Sequence, residues 1–339
     1  MIDRRAILAS SLGLPTLGLP TLGVSSLALS TLALPALAQA PWPNRPVRVI
    51  VPWPPGGSTD VLARLISEEL GRRLGQNFLI ENRPGAGGNI GTDALTKSTP
   101  DGYTMAPVTV SGWAINQYLF ARMPFDADRD LQPISMHWTL PNVCIVSAQH
   151  NPATTLREFI DWAKRRPNGV SFGSPGVGTT AHLSGSYFCG KTGIDGQHVP
   201  FRGAAQIIPA MLSGDLTFAI DNLASYVPLI QEGRVRAFAV TSPERWPTLP
   251  NIPTMREAGT DFVVESWCAF AFPAGVPAPI VERATAAFRE ASSDPSVQDR
   301  FLRGGARAVN SDPDGVWERV RRERPVWQEM VRLSGARME

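Results

Sequence analysis

Short runs of apolar, largely β-branched residues alternate with longer segments of helical periodicity from about Trp42 onward. Strands and helices that alternate in this way are typical of α/β folds with parallel sheets. The predicted strands are VRVIVP, FLIEN, YTMAPVT, NVCIVSA, GVSFGS, QHVPF, LTFAIDN and VRAFAVTS. The predicted helices span residues 59–74, 90–97, 156–166, 180–189, 204–212 and 223–231, followed by IVERATAAFREA, SVQDRFLRGG and DGVWERVRRERPVWQEMVRL, the last broken at Pro325.

The first predicted helix shows how the pattern assigns residues to faces. One apolar stripe is formed by Val61, Leu62, Leu65, Ile66 and Leu70. The opposite side carries Glu68, Glu69, Arg72 and Arg73. Ser58 directly precedes this helix and is a candidate N-cap residue, because a serine oxygen can accept from the first free backbone N–H groups.

The first 38 residues predict an export signal that is removed. A pair of arginines precedes an uncharged stretch, residues 6–37, and cleavage after Ala38 fits the small-residue run ALAQA. The arginine pair leaves twin-arginine export open. A permanent membrane anchor is the alternative, and the prolines inside the stretch disfavour it because they interrupt a continuous helix.

Composition indicates a folded chain with two domains. A length of 339 residues, with 43% hydrophobic and 18% charged residues, suffices for two cores of ordinary size. We predict a seam near Pro141, with residues 39–141 and 262–339 in lobe 1 and residues 142–261 in lobe 2. A formal net charge of +2 gives no basis for nucleic-acid binding.

Two stretches, VRVIVPWPPGGSTDVLARL and GVSFGSPGVGTTAHLSG, run from a strand through a corner rich in proline and glycine into a helix. Ligands of open α/β sheets bind at such corners, beyond the carboxyl ends of strands. The start of a helix offers unpaired N–H groups and the positive end of the dipole, and glycine allows close approach to the backbone. The pair predicts a pocket for a small anion, most simply a carboxylate. Hydroxyl groups are supplied by Ser58, Thr59, Ser174, Thr179 and Thr180.

The alternative to a binding role is a purely structural one, in which both corners only turn the chain. Nucleotide binding is a weaker alternative, because GVGTTA lacks the acidic residue after the second strand and no G-x-x-x-x-G-K-[ST] motif is present. A secreted hydrolase could combine Ser58 or Ser174 with His182, although no G-x-S-x-G elbow exists. A role of His182 in bonding a neighbouring loop is the simpler interpretation.

Metal and redox chemistry have little support in the sequence. The four histidines are scattered and no cysteine pair has ligand spacing, so we predict no metal site and no cofactor. The three cysteines, Cys144, Cys189 and Cys268, allow at most one disulfide. Cys144 and Cys268 lie in apolar, strand-like runs, which favours buried thiols.

These segments together resemble the Bug family of exported solute receptors, which serve tripartite tricarboxylate transporters. The resemblance extends from about Trp42 to the last helices. The segments that carry it are VPWPPGGSTDVLAR, ENRPGAGGNIGTDAL, STPDGYTM, FGSPGVGTTAHLSG, HVPFRGAAQIIPAMLSGDL, RVRAFAVTSPERWPTLPNIPTMREAG and FPAGVPAPIVERA. It implies a two-lobed α/β periplasmic binding protein of the Venus-flytrap, type II-like form.

The resemblance also implies which residues hold the carboxylate between the lobes. They are Pro55, Gly56, Gly57, Ser58, Thr59 and Asp60 in the first corner, Ser174, Gly176, Gly178, Thr179 and Thr180 in the second, and Thr109, Ser111, Phe201, Arg202 and Asp221 elsewhere. Asp221 is expected to contact the distal group of the ligand, its alternative role being to bond neighbouring backbone amides.

Two departures from the family pattern bear on the ligand. Phe201-Arg202 replaces a common Tyr-Lys pair, which removes a hydroxyl and keeps a cation. Trp113 stands where many relatives have a smaller residue, so a different apolar end of the ligand is expected.

The function predicted from sequence is capture of a small carboxylate, such as a dicarboxylate, amino acid or aromatic acid, by a periplasmic, non-enzymatic monomer. Membrane subunits of a tripartite transporter are the expected partners. A secreted Ser/His hydrolase and a receptor for a membrane sensor kinase remain the alternatives.

Overall fold

A computed structural model describes residues 42–339, so the predicted export signal, residues 1–38, lies outside the described residues. Its strands are β1 (Val47–Val51), β2 (Phe78–Asn82), β3 (Thr104–Thr109), β4 (Leu131–Ser147), β5 (Val170–Ser174), β6 (Gly196–Pro200), β7 (Phe218–Asn222), β8 (Val235–Val240), β9 (Glu265–Pro273) and β10 (Arg307–Ala308). Its helices are α1 (Ser58–Leu74), α2 (Asn89–Thr96), α3 (Asn116–Leu119), α4 (Ala127–Asp130), α5 (Leu156–Lys164), α6 (Thr180–Thr192), α7 (Ala204–Ser213), α8 (Val227–Gln231), α9 (Ala278–Ser293), α10 (Pro295–Arg303) and α11 (Pro313–Ser334).

One sheet contains all of these strands, in the order β2-β1-β3-β9-β4-β7-β5-β6, with β8 and β10 also paired to β4. Pairs among β1, β2 and β3 and among β5, β6 and β7 are parallel, as predicted. Every pair that involves β4 or β9 is antiparallel, so the sheet is mixed, a feature that the prediction of parallel strands did not include. The apolar runs showed where strands form, but their direction depends on how distant segments meet.

The long strand β4 changes partners at the predicted seam. From Leu131 to Pro141 it pairs with β9, and from Asn142 onward it pairs with β7 and, one residue later, with β8. Its two halves therefore belong to different parts of one sheet, each with its own set of parallel strands. The lobe boundaries themselves stay a prediction.

Buried side chains cover both ends of the sheet. One cluster packs α1 and α9 on the β1 end, with Ile66 and Phe288 among its fully buried members. A second packs α7 and α8 near β7, around Ile207 and Tyr226. The largest cluster includes Phe218 of β7 and Trp327 of α11. All three cysteines are buried and none forms a disulfide; burial of Cys144 and Cys268 was predicted from their apolar surroundings.

Two details of the helices differ from the sequence prediction. Val61, predicted on the apolar stripe, is 51% exposed, whereas Leu62 and Ile66 are buried against the sheet. Glu69, predicted on the polar side, is buried and accepts a hydrogen bond from Arg72 at 2.6 Å. The predicted break at Pro325 is wrong, since α11 runs through it. The helix forgoes one backbone bond there and is held by its buried residues on both sides of the proline. No helix among residues 42–339 has the length and apolar composition needed to cross a bilayer.

Candidate functional site

Both predicted corners open into one cavity of about 830 Å³. Gly57 of the corner between β1 and α1 and Gly176 of the corner between β5 and α6 both lie on its wall. Of the residues proposed from sequence, those on the wall are Pro55, Gly57, Ser58, Thr59, Thr109, Ser111, Gly176, Thr179, Thr180, Phe201, Arg202 and Asp221. Gly56, Asp60, Ser174 and Gly178 are not on the wall and instead shape the corners.

The first corner presents a helix start without a side-chain cap. Gly57 is the N-cap residue and Ser58 the first residue of α1, so the prediction that Ser58 caps this helix is wrong. A glycine at the cap position has no side chain that could bond the free N–H groups of the first turn, so these groups stay available. Gly56 has φ +79°, a left-handed conformation that favours glycine. The unpaired amides of α1 therefore begin at the cavity wall.

Asp60 braces this corner. Its carboxylate accepts hydrogen bonds from the Gly56 N–H at 2.9 Å, from Asn82 Nδ2 at 2.8 Å and from the Arg64 guanidinium at 3.0 Å. Burial alone would raise the pKa of Asp60, but the hydrogen bonds from Arg64, Gly56 and Asn82 outweigh it and lower the pKa. Asp60 therefore holds the loop from behind and is not on the cavity wall.

The second corner is held by its own hydroxyl groups. Thr179 Oγ1 accepts from the His182 N–H at 3.2 Å, which caps α6, and donates to the Gly176 carbonyl at 2.8 Å. Ser174 Oγ donates to the same carbonyl at 2.9 Å. Gly178 has φ +79° and lies against Leu119, where a Cβ would overlap the leucine side chain. The loop is thus fixed with Gly176 and Thr180 toward the cavity.

Burial lowers the pKa of both histidines behind this corner. His182 Nδ1 accepts from the Gly178 N–H at 3.2 Å, which matches the simpler interpretation of this residue. His198 Nε2 lies 2.7 Å from Ser174 Oγ. Burial, with a smaller contribution from His198, lowers the pKa of His182 to about 3, and burial lowers that of His198 to about 4. Neither ring lines the cavity.

Asp221 lies at the end of β7, where its backbone pairs with β4. One carboxylate oxygen accepts from the Asn222 N–H at 2.7 Å and the other from Tyr226 Oη at 2.9 Å. Burial raises the pKa of Asp221 to about 6. The cavity thus has a weakly acidic carboxyl group on its wall, whereas Arg202, the other charged residue there, is exposed.

A hydrogen bond crosses the cavity wall between the two predicted lobes. Asn222 Nδ2 donates to Ser58 Oγ at 3.0 Å, which joins the end of β7 to the start of α1. On the same wall, Gly203 lies against Pro54, so that a Cβ at Gly203 would contact the proline ring at 3.5 Å. These contacts bring the first corner against residues 142–261.

Trp113 does not line the cavity. Its side chain is 1% exposed, its Nε1 donates to the Val108 carbonyl at 3.0 Å, and its ring packs edge-on against Trp317 at 5.3 Å. The expectation that Trp113 alters the apolar end of the ligand directly is therefore wrong. The residue instead supports the π-helical turn Ser111–Ile115 that presents Ser111.

Sequence reasoning missed a third glycine segment on the wall, Pro84–Gly88, which follows β2. Gly85, Gly87 and Gly88 have positive φ, and so does Ala86, at +48°. Its signal was available, since PGAGG follows a strand and precedes a helix as the other two corners do. Pro175, Val177 and Gly203 are on the wall within the predicted corners, and the wall residues outside the prediction also include Trp53, Pro54, Ala181, Pro200, Ala204, Ala205, Gln206, Asn222, Ser225, Ser266 and Met338. Residues 42–339 contain no group of three or more metal-ligating side chains.

The model of one protein family, described as "Tripartite tricarboxylate transporter family receptor", matches residues 62–332. The chain belongs to this family. It is 34% identical over 300 residues to protein BugT of Bordetella pertussis, covering 88% of this chain and 92% of BugT. The resemblance to Bug receptors found in the sequence is thereby confirmed.

Solved structures of similar proteins extend the comparison. The receptor has a TM-score of 0.85 and 32% identity with Rpa4515 of R. palustris, solved with adipate, covering 88% of this chain and 100% of that one. It has a TM-score of 0.79 and 30% identity with MatC of Rhodopseudomonas palustris, solved with bound malate, covering 86% and 100%. The predicted α/β fold class of two-lobed periplasmic binding proteins is confirmed.

Proposed function

We propose that this receptor captures a small carboxylate between two lobes and does not change it chemically. The observation that carries the proposal is that the amino-terminal turns of α1 and α6 line the same cavity, with Gly57 and Gly176 on its wall. Each charge-assisted hydrogen bond from such turns contributes roughly 1.5–3 kcal/mol. Three or four of them account for the roughly 8 kcal/mol of a micromolar complex.

Known ligands of similar proteins agree with an acid in this cavity. Adipate and malate, present in the structures of Rpa4515 and MatC, are both carboxylates. The two acids differ in length and in hydroxylation. Main-chain amides at the corners would hold the group that they share, while the rest of the wall would select among acids.

Closure between the lobes is the mechanism we propose. The partner change of β4 between Pro141 and Asn142 supports lobes made of residues 39–141 with 262–339 and of residues 142–261. The bond from Asn222 to Ser58 is the kind of contact that a closed form makes. A ligand that contacts both corners favours closure by its higher affinity for that form.

Hydrolysis at this site is opposed by the hydrogen bonds of its serines. Ser174 is fully buried and off the cavity wall, and its Oγ donates to the Gly176 carbonyl, which opposes a role as nucleophile even though His198 Nε2 lies 2.7 Å from it. Ser58 Oγ accepts from Asn222, and His182 Nδ1 accepts from Gly178. Neither predicted serine bonds His182, which supports a receptor that is not an enzyme.

We further propose a periplasmic location and membrane subunits of a tripartite transporter as partners, with the protein acting as a monomer. The family description supports a receptor role in such a system. Capture of the transporter subunits by the ligand-loaded protein, from membranes of the source organism, supports transport. Capture of a sensor kinase would support the signalling alternative instead.

A thermal-shift screen of the purified protein from residue 39 onward tests the proposal. The panel contains monocarboxylates, dicarboxylates, amino acids and aromatic acids, with the matching amides as controls for the charge. We expect at least one acid to raise the unfolding temperature while its amide does not. Nuclear magnetic resonance of the bound acid after release then checks that it is unchanged, and turnover would support the hydrolase.

A further inference from the structure

The short segment that follows α11 returns to the cavity. Gly335, with φ +66°, ends the helix and redirects the chain. Met338 then forms a parallel bridge with Phe120, in which the Met338 N–H donates to the Leu119 carbonyl and the Ala121 N–H donates to the Met338 carbonyl, both at 2.9 Å. Two backbone bonds therefore fix this residue against the segment that follows α3.

Side chains alternate along this segment as they do along a strand. Arg337 and Glu339 are exposed, whereas Met338 is partly buried, packs against the largest hydrophobic cluster and lies on the cavity wall. Phe120, its bridge partner, lies beside the glycine segment after β2, because a Cβ on Gly87 would be 3.7 Å from the phenylalanine ring. The methionine thus extends the wall that this glycine segment begins.

The cavity has more space than a carboxylate group fills, so the side chains on its wall, including Met338, determine which acids fit. Its volume of about 830 Å³ is toward the upper end of the range of about 300–1,000 Å³ for small-molecule sites. Main-chain amides at the two corners recognise a carboxylate whatever it is attached to. Discrimination by length must therefore come from side chains that bound the remaining space, and methionine fills irregular apolar space well because it is unbranched and flexible.

We propose that Met338 is a specificity-determining residue that limits the space for the hydrocarbon part of the acid and so sets its preferred chain length. The inference rests on the proposed function, because it takes a carboxylate to be the ligand. The backbone bonds to Leu119 and Ala121 fix the position of the Met338 main chain at the cavity wall. Leu119 also contacts Gly178 of the second corner, so the same strip of chain joins the wall to a carboxylate-binding loop.

Calorimetric titration with unbranched dicarboxylates, from succinate to suberate, tests this role. Met338→Ala enlarges the space and is expected to move the preference to a longer acid, whereas Met338→Trp moves it to a shorter one. One methylene in an apolar pocket changes affinity by about tenfold or more. We therefore expect the ratio of affinities for neighbouring acids to differ by about that factor between either variant and the wild type.

The chain offers matched controls within the same segment. Met338→Leu keeps the volume and is expected to keep the wild-type preference. Arg337→Ala and Glu339→Ala remove flanking side chains that point to solvent and are expected to change neither affinity nor preference. Thermal unfolding of each variant shows whether the fold is retained.

The outcomes separate the role of Met338 from the function of the protein. If the wild type binds an acid of the series and the Ala and Trp variants keep its preference, the proposal for Met338 is overturned and the proposed function stands. A uniform loss across the series in folded variants overturns it too, because a merely structural residue acts in that way. A wild type that binds no carboxylate of any kind overturns both.

Discussion

In the first corner, side chains at two neighbouring glycines would have different effects. A side chain at Gly56 would strain the backbone, whereas one at Gly57 would reduce access to the cavity. Gly56 has φ +79°, so any side chain there strains the loop. Gly57 has φ −78° and ψ 168°, which every residue type adopts, and a Cβ at this position meets only the Pro54 carbonyl, at 3.7 Å. The side chain of a Gly57 variant would therefore project into the cavity without distorting the chain.

Gly57→Val is expected to weaken carboxylate binding by more than about tenfold while the unfolding temperature stays near that of the wild type. The physical reason is that a branched side chain on the cavity wall blocks approach to the α1 amides. Calorimetry with the best acid of the screen measures the loss. Gly190→Val is the control, because Gly190 is exposed on α6 with nothing near its Cβ position. Unchanged affinity in a folded Gly57 variant would remove this corner from the site.

Asp221 is expected to make the binding of an acid depend on pH. Its pKa is raised to about 6 by burial, so the carboxyl group is neutral below that pH and repels a bound carboxylate above it. We expect the affinity for an acid to fall by at most about tenfold per pH unit as the pH rises above about 6. Asp221→Asn should flatten this profile, and calorimetry between about pH 5 and 8 measures it. An equally steep profile in the variant would assign the dependence to another group.

At the scale of elements, local chemistry identified the corners but not the course of the longest strand and helix. Each corner was visible because an apolar run, a Pro/Gly loop and a helical stripe follow one another within about twenty residues. The first half of β4, from Leu131 to Pro141, lacks a matching signal because it includes two prolines and a histidine. Its conformation comes from pairing with β9, which lies more than a hundred residues away.

Helix α11 illustrates the same limit and gives a prediction. Pro325 lies inside the helix and is exposed. The turns that follow it pack into the core through the buried side chains of Trp327, Met330 and Val331. Tertiary packing thus overrides a helix-breaking residue that costs about 3 kcal/mol in a helix interior. Pro325→Ala is expected to raise the free energy of unfolding by up to about that amount. Denaturant titration measures it, with Val326→Ala as the neighbouring exposed control; a loss of stability would show that the proline fits a local distortion.

At the scale of the whole molecule, the cavity collects residues that no local pattern connects. Met338 and Pro84–Gly88 share a wall although about 250 residues separate them. Family resemblance placed both corners, Arg202 and Asp221 on that wall, yet it also included Asp60 and Ser174, which brace the loops from behind. Whether a polar residue of a corner faces the ligand or its own loop depends on hydrogen-bond geometry, which composition and spacing do not specify.

Buried histidines are expected to make the stability of the whole molecule sensitive to acid. His137 lies in β4 within an aromatic cage that includes Phe288 and Phe301, at ring distances of 5.3 Å each. Its Nδ1 bonds Ser292 at 3.0 Å, its buried Nε2 has no partner, and burial lowers its pKa to about 3. His182 and His198 have pKa values lowered to about 3 and about 4. All three bind protons more readily when the chain unfolds.

The sign of the pH dependence follows from these pKa values. Stability from the neutral histidines is fully present above their unfolded pKa of about 6.5 and is lost as the pH falls below it. Asp221 acts in the opposite direction, because its raised pKa favours the folded state as the pH falls from about 6. The three histidines bind more protons on unfolding than the one carboxyl group releases. The free energy of unfolding is therefore expected to fall as the pH is lowered from about 6 to about 4.

Denaturant titrations across this pH interval, without ligand, measure the slope. His137→Asn retains an amide that can bond Ser292 but cannot take up a proton, so it is expected to reduce the slope by about 1.4 kcal/mol per pH unit at most. The variant has lower stability at neutral pH because it leaves a cavity among the aromatic rings. The slope is therefore the informative quantity, and a slope equal to that of the wild type would show that His137 does not remain neutral in the fold.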